Sequence, residues 1–146
     1  MKGSWVRPAG LMLAIATLLI AIVVTQWPFD YRITTFAVRM RWNRIEWSWF
    51  PPTYGGSVVT RDLVQNLVML MPLGIGFGMW RRAARMRVAI EGLALGIVTG
   101  TALEVAQLVT RSRYTSFPDL WNNAVGCLLG CLFALAIQRA LEIRRP

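Results

Sequence analysis

Two segments of this chain, Asp62-Leu63-Val64-Gln65-Asn66 and Asp119-Leu120-Trp121-Asn122-Asn123, each set a carboxylate and an amide one helical turn apart. Each then runs into a long apolar stretch punctuated by glycine. Between them lie Glu104 and Gln107, followed by Arg111 and Arg113. Three carboxyls, Asp62, Glu104 and Asp119, could supply a general acid and a general base if their surroundings drive their proton affinities apart. The same groups together with an arginine and the amides of Asn66, Gln107 and Asn123 could instead bind an amphiphile's polar head, arginine taking phosphate or carboxylate and the amides taking sugar or peptide groups. A purely architectural role also fits: Asp62 and Asp119 as helix caps, and Glu104, Gln107 and Arg111 as one face of a helix carrying an internal Glu–Arg pair that fixes register.

What is missing narrows the chemistry. The chain contains no histidine, which removes the usual general base, the usual partner of a nucleophile and the commonest metal ligand. Ser112, Tyr114, Thr115 and Ser116 offer hydroxyls, but no His or nearby Lys stands ready to activate them. Cys127 and Cys131 stand four residues apart in an apolar run with no further Cys or His to complete a zinc tetrahedron, and read as small packing residues. No spacing diagnostic of a metal site occurs, and no cofactor is implied.

The elements that position these residues are membrane-like helices. The chain of 146 residues is 55% hydrophobic, and its few charges fall between apolar runs. Apolar periodicity predicts an all-α bundle in a single domain over 1–146, with four transmembrane helices at about 9–26, 63–80, 88–108 and 120–137. Lys2 and Arg7 precede the first run, but Val23-Val24-Thr25-Gln26-Trp27 lacks a small-x-small cleavage pattern, so the helix is read as retained. Trp5, Trp27, Trp80 and Trp121 fall at helix ends, where an amphipathic ring prefers the headgroup level. Segment 28–61 is too polar to span; Phe29, Ile33, Phe36 and Met40 follow helical spacing and predict a short interfacial helix, with a turn at Pro51-Pro52 and Gly55-Gly56. A net charge of +9 points to anionic lipid headgroups rather than nucleic acid, because the arginines flank the apolar runs.

Counting Lys and Arg in the short connections places both termini in the cytoplasm, and helices 2 and 4 then enter from the outer face. Every unusual polar residue collects at that outer rim. Gly92, Gly96 and Gly100 form a stripe on helix 3 that Glu104 continues; Gly74 and Gly78 lie below Asp62 and Asn66; Gly126 and Gly130 lie below Asn122. Three helices with small residues in register predict a close-packed seam beneath the rim. Pro72 should bend helix 2.

The order Asp62-x-x-x-Asn66, Pro72-Leu73-Gly74, Glu104-x-x-Gln107, then Arg113-Tyr114-Thr115-Ser116-Phe117-Pro118-Asp119 with Asn123 and Gly126, resembles the VanZ-like family of bacterial membrane proteins. The resemblance spans Asp62 to about Gly130 and marks Arg113, rather than Arg111, as the family arginine. The family often has Asp where this chain has Ser116. The resemblance implies an integral membrane protein whose relatives include one associated with low-level resistance to the glycopeptide teicoplanin. The resulting expectation is an inner-membrane protein whose outward rim of Asp62, Asn66, Glu104, Gln107, Arg113, Asp119 and Asn123 binds a membrane lipid or lipid-linked envelope precursor. An intramembrane carboxylate-dependent hydrolase or transferase and a structural or assembly protein are the alternatives.

Overall fold

A computed structural model describes the backbone of residues 5–48, 56–111 and 115–143, and the side chains among them except those of 56–62 and 142–143. These residues form six helices: α1 Val6–Gln26, α2 Thr35–Trp42, α3 Gly56–Met69, α4 Met71–Trp80, α5 Arg85–Gln107 and α6 Phe117–Ile143. Four stretches are long and apolar enough to cross a membrane: α1, α3–α4 from Leu63 to Trp80, α5, and α6 as far as Leu141. Large apolar side chains such as Ile15, Leu19, Val98 and Phe133 are exposed on the outside of the bundle, as a hydrocarbon surrounding requires. The all-α, four-span architecture expected from periodicity is the one found, with an irregular segment and the short helix α2 between the first two spans.

Helix α6 is the hub. It packs along α4 and α5 and touches α3, while α1 leans chiefly on α4. The glycine stripes set these distances. A Cβ on Gly74 would collide with the Cys127 backbone, one on Gly96 would come within 2.8 Å of Ala124 and Cys127, and one on Gly126 would strike the Leu67 carbonyl. Gly10 of α1 and Gly76 of α4 face each other reciprocally, each excluding a side chain on the other. Without a hydrophobic force between helices in lipid, such backbone approach is how dispersion contact is maximised. Cys127 and Cys131 are fully buried in this seam, with the Cys131 thiol donating to the Gly74 carbonyl at 3.2 Å.

The second span differs from the sequence expectation at both ends. Its helix begins at Gly56 rather than near residue 63, so Asp62 lies inside α3 and does not cap a helix N-terminus. Pro72 breaks the span instead of bending it. A proline cannot donate to the carbonyl four residues back and its ring crowds that carbonyl, so the chain leaves helical geometry at Leu70 (φ −97°, ψ 0°) and restarts as α4 with the proline in its first turn.

Candidate functional site

The C-termini of α1 and α5 and the N-terminus of α6 meet at one end of the bundle, so that end is built largely by the connections between helices. The chain reverses after α1 through Phe29, which takes a left-handed φ of 63° and stacks edge-on against Trp27 and Tyr31. Segment 30–32 then pairs with the end of α5: Arg32 N–H donates to the Val109 carbonyl and Arg111 N–H to the Asp30 carbonyl, each at 2.8 Å. Further on, Glu46 N–H donates to the Thr115 carbonyl at 3.1 Å and Phe117 N–H to the Glu46 carbonyl at 2.9 Å. The loop before α3 is therefore sewn at two places onto the loop before α6. Helix α2 opens on Thr34, whose hydroxyl accepts the Ala37 N–H, and it buries none of its residues. The turn expected at Pro51-Pro52 and Gly55 lies outside the described residues.

Within this end sits Glu104, 5% exposed although it is charged at neutral pH in water. Its Oε2 accepts the Ser116 N–H at 2.9 Å, and its backbone carbonyl accepts the Thr115 hydroxyl at 3.2 Å. Ser116 immediately precedes α6, and Asp119 lies in the first turn of that helix, where a carboxylate complements the helix dipole. The Asp119 carboxyl is within electrostatic range of Glu104. One turn below Glu104 on α5, Gly100 lies against the Asn123 Cβ and the Leu120 carbonyl. Asn123 is 1% exposed, and its Oδ1 is a fully buried acceptor with no hydrogen-bond partner among the described residues. Asn122 is also buried.

The structure thus brings Glu104, Asp119 and Asn123 into one cluster, with Ser116 and Thr115 completing it. Asn66 and Gln107 are half-buried at the same end, but no side-chain hydrogen bond among the described residues ties either to that cluster. The side chain of Asp62 and the whole of Arg113 lie outside the described residues. The Glu–Arg pair expected along helix 3 does not form with Arg111. Helix α5 ends at Gln107, the next three N–H groups close tight turns back onto Val105, Ala106 and Gln107, and Arg111 leaves the helical face, exposed.

A second polar cluster escaped the sequence reading. Thr110, fully buried, donates its hydroxyl to Gln26 Oε1 at 2.9 Å; the Gln26 amide reaches the Thr25 hydroxyl at 3.4 Å, which in turn bonds the Ala21 carbonyl. Arg41 of α2 donates to the Leu108 carbonyl at 2.9 Å, capping the end of α5. The available signal was Gly10, Thr17, Ala21 and Thr25, a stripe of small or polar residues at helical spacing inside the first apolar run.

Fold and cluster together define a multi-pass helical membrane protein with buried polar groups gathered at one end of a glycine-packed bundle. The chain belongs to the VanZ/LLP1 family, which it matches over residues 11–138, so the likeness takes in most of α1 and segment 28–61 as well as the motif region. Comparison with curated proteins and with solved structures gives no match.

Proposed function

We propose that the cluster around Glu104, Asp119 and Asn123 binds the polar head of a cell-envelope amphiphile, in a bacterial cytoplasmic membrane with both termini inside and this end of the bundle facing outward. Asp62, Asn66, Gln107 and Arg113 contribute to the same rim on the sequence reading. The observation that carries the proposal is the buried Asn123 Oδ1, which has no donor among the described residues. A buried carbonyl oxygen without a donor costs about 1–3 kcal/mol, and a bound group that brings an N–H or O–H removes that penalty. With two carboxyls nearby, the cluster is rich in acceptors and suits a head group bearing hydroxyls, amides or an ammonium. An effect on susceptibility to glycopeptides such as teicoplanin would follow if the bound head belongs to a lipid-linked wall precursor.

The test is gentle purification followed by mass spectrometry of co-purifying lipids, wild type against Asp119→Ala and Asn123→Leu. A lipid species retained by the wild type and lost from both variants supports the site. Identical lipid profiles in folded protein overturn it.

The Asp119 carboxyl, within electrostatic range of Glu104, supports a second reading, a hydrolase or transferase in which one acts as acid and the other as base. Glu104→Gln would then keep lipid retention and stop turnover; retained turnover removes Glu104 from that role.

A further inference from the structure

The opposite end of the bundle holds a groove of about 440 Å³ that the polar rim does not involve. It lies between the start of α1, the end of α4, the start of α5 and the last turns of α6, with Val6, Met79 and Leu135 as apolar lining beneath Arg7, Arg82 and Arg85.

Among the described residues, several acceptors bordering this groove already have donors. The carbonyls at the end of α4 are taken: Trp80 O accepts Arg7 Nε at 3.3 Å, Gly78 O accepts the Gln138 amide at 3.2 Å, and Phe77 O accepts the Arg81 N–H. Glu91 is committed to Arg81, through two bonds of 2.6 and 2.9 Å, and to Arg87. That pairing holds the Arg81 guanidinium protonated even more firmly than usual. Among the described residues, neither Arg7 nor Arg82 has a carboxylate partner. Two helices begin here, and both begin without a side-chain cap and without an acidic residue in the first turn, α1 with Arg7 and α5 with Arg85 and Arg87. Arg7, at the positive end of the α1 dipole, meets a field of its own sign, and an anion seated beside it reverses the sign of the interaction.

We infer that this groove binds a phosphate group through Arg7 and Arg82, with Val6, Met79 and Leu135 receiving adjoining apolar matter. Phosphate fits the forked donors of arginine, and the groove opens where an anionic lipid's phosphate would lie beside helix ends. The same chemistry serves a lipid headgroup or a free phosphate, and experiment separates the two.

Purified full-length protein is placed in phosphatidylcholine nanodiscs, with and without phosphatidylglycerol, and in detergent with inorganic phosphate alone. Thermal unfolding and native mass spectrometry are read for wild type, Arg7→Gln, Arg82→Gln and the double variant, with Arg44→Gln at the far end as control. The expected result is a rise in unfolding temperature with phosphatidylglycerol, apparent affinity about tenfold weaker for each single variant, and no response in the double variant. The control responds like wild type. If inorganic phosphate alone gives the same variant-dependent shift, the ligand is a free phosphate group; if only the lipid does, it is a headgroup. A double variant that unfolds cooperatively and responds like wild type to both probes overturns the inference.

Discussion

The carboxylate of Glu104 accepts the backbone N–H of Ser116 at 2.9 Å, so a side chain of α5 does for the start of α6 what that helix's own third residue, Asp119, would do in a capping box. Asp119, in the first turn of the same helix, lies within electrostatic range of that carboxyl. The bond makes Glu104 a structural residue whatever else it does.

Glu104→Ala leaves the part-buried Ser116 N–H without that acceptor and is expected to lower unfolding free energy by about 1–3 kcal/mol. Glu104→Gln keeps an acceptor oxygen in place and should lose less than half as much. Denaturant titration of both variants in the same detergent checks the order; equal losses would show that the bond to Ser116 contributes little.

Asn123→Leu removes a buried acceptor that has no donor among the described residues, so the ligand-free protein should be as stable as wild type or more so. Stabilisation by the native lipid extract should vanish in the same variant. Destabilisation of the ligand-free protein by more than about 1 kcal/mol would mean that Oδ1 has a partner inside the folded protein.

Gly74→Ala and Gly126→Ala drive a methyl into the backbone of Cys127 and Leu67 respectively, where no side chain can swing aside. Each is expected to cost about 1–3 kcal/mol or more by overpacking. Gly100→Ala meets Leu120 O and Asn123 Cβ at 3.1 and 3.2 Å, so a shift of a few tenths of an ångström suffices and the loss should be the smallest of the three. Melting temperatures of the three variants in one detergent read the ranking directly.

Thr110→Val breaks the bond that ties α1 to the end of α5 and leaves Gln26 Oε1 buried without that donor, so it should cost about 1–3 kcal/mol, whereas in Gln26→Leu the Thr110 hydroxyl keeps the Ala106 carbonyl at 3.1 Å and the loss should be smaller. The double variant removes both polar groups and should cost less than the two losses combined. A double-mutant cycle with no coupling would contradict the bond.

Helix number, approximate span limits and the glycine seam were legible in the sequence because each depends on periodicity along a single helix. Gly92, Gly96, Gly100 and Glu104 share a face by spacing alone, and the structure packs that face against α6. Trp5, Trp27 and Trp80 mark helix ends by their chemistry, again without reference to a partner.

The repeated Asp-x-x-x-Asn was a weaker guide. Its copies look equivalent in sequence, yet one lies inside α3 and the other opens α6, because the start of α3 is set at Gly56, upstream of the pattern. Nor could spacing show that Ser116 would turn to Glu104, that Arg111 would leave the helix for Asp30, or that Gln26 would find Thr110 across 84 residues. Those pairings depend on where two loops cross, and a loop's path is decided by backbone hydrogen bonds made to a distant segment. The sequence by itself determined which faces are apolar, which are small and which carry the polar groups. Only the tertiary structure decided which polar group satisfies which, and that Asn123 Oδ1 is buried with no donor among the described residues.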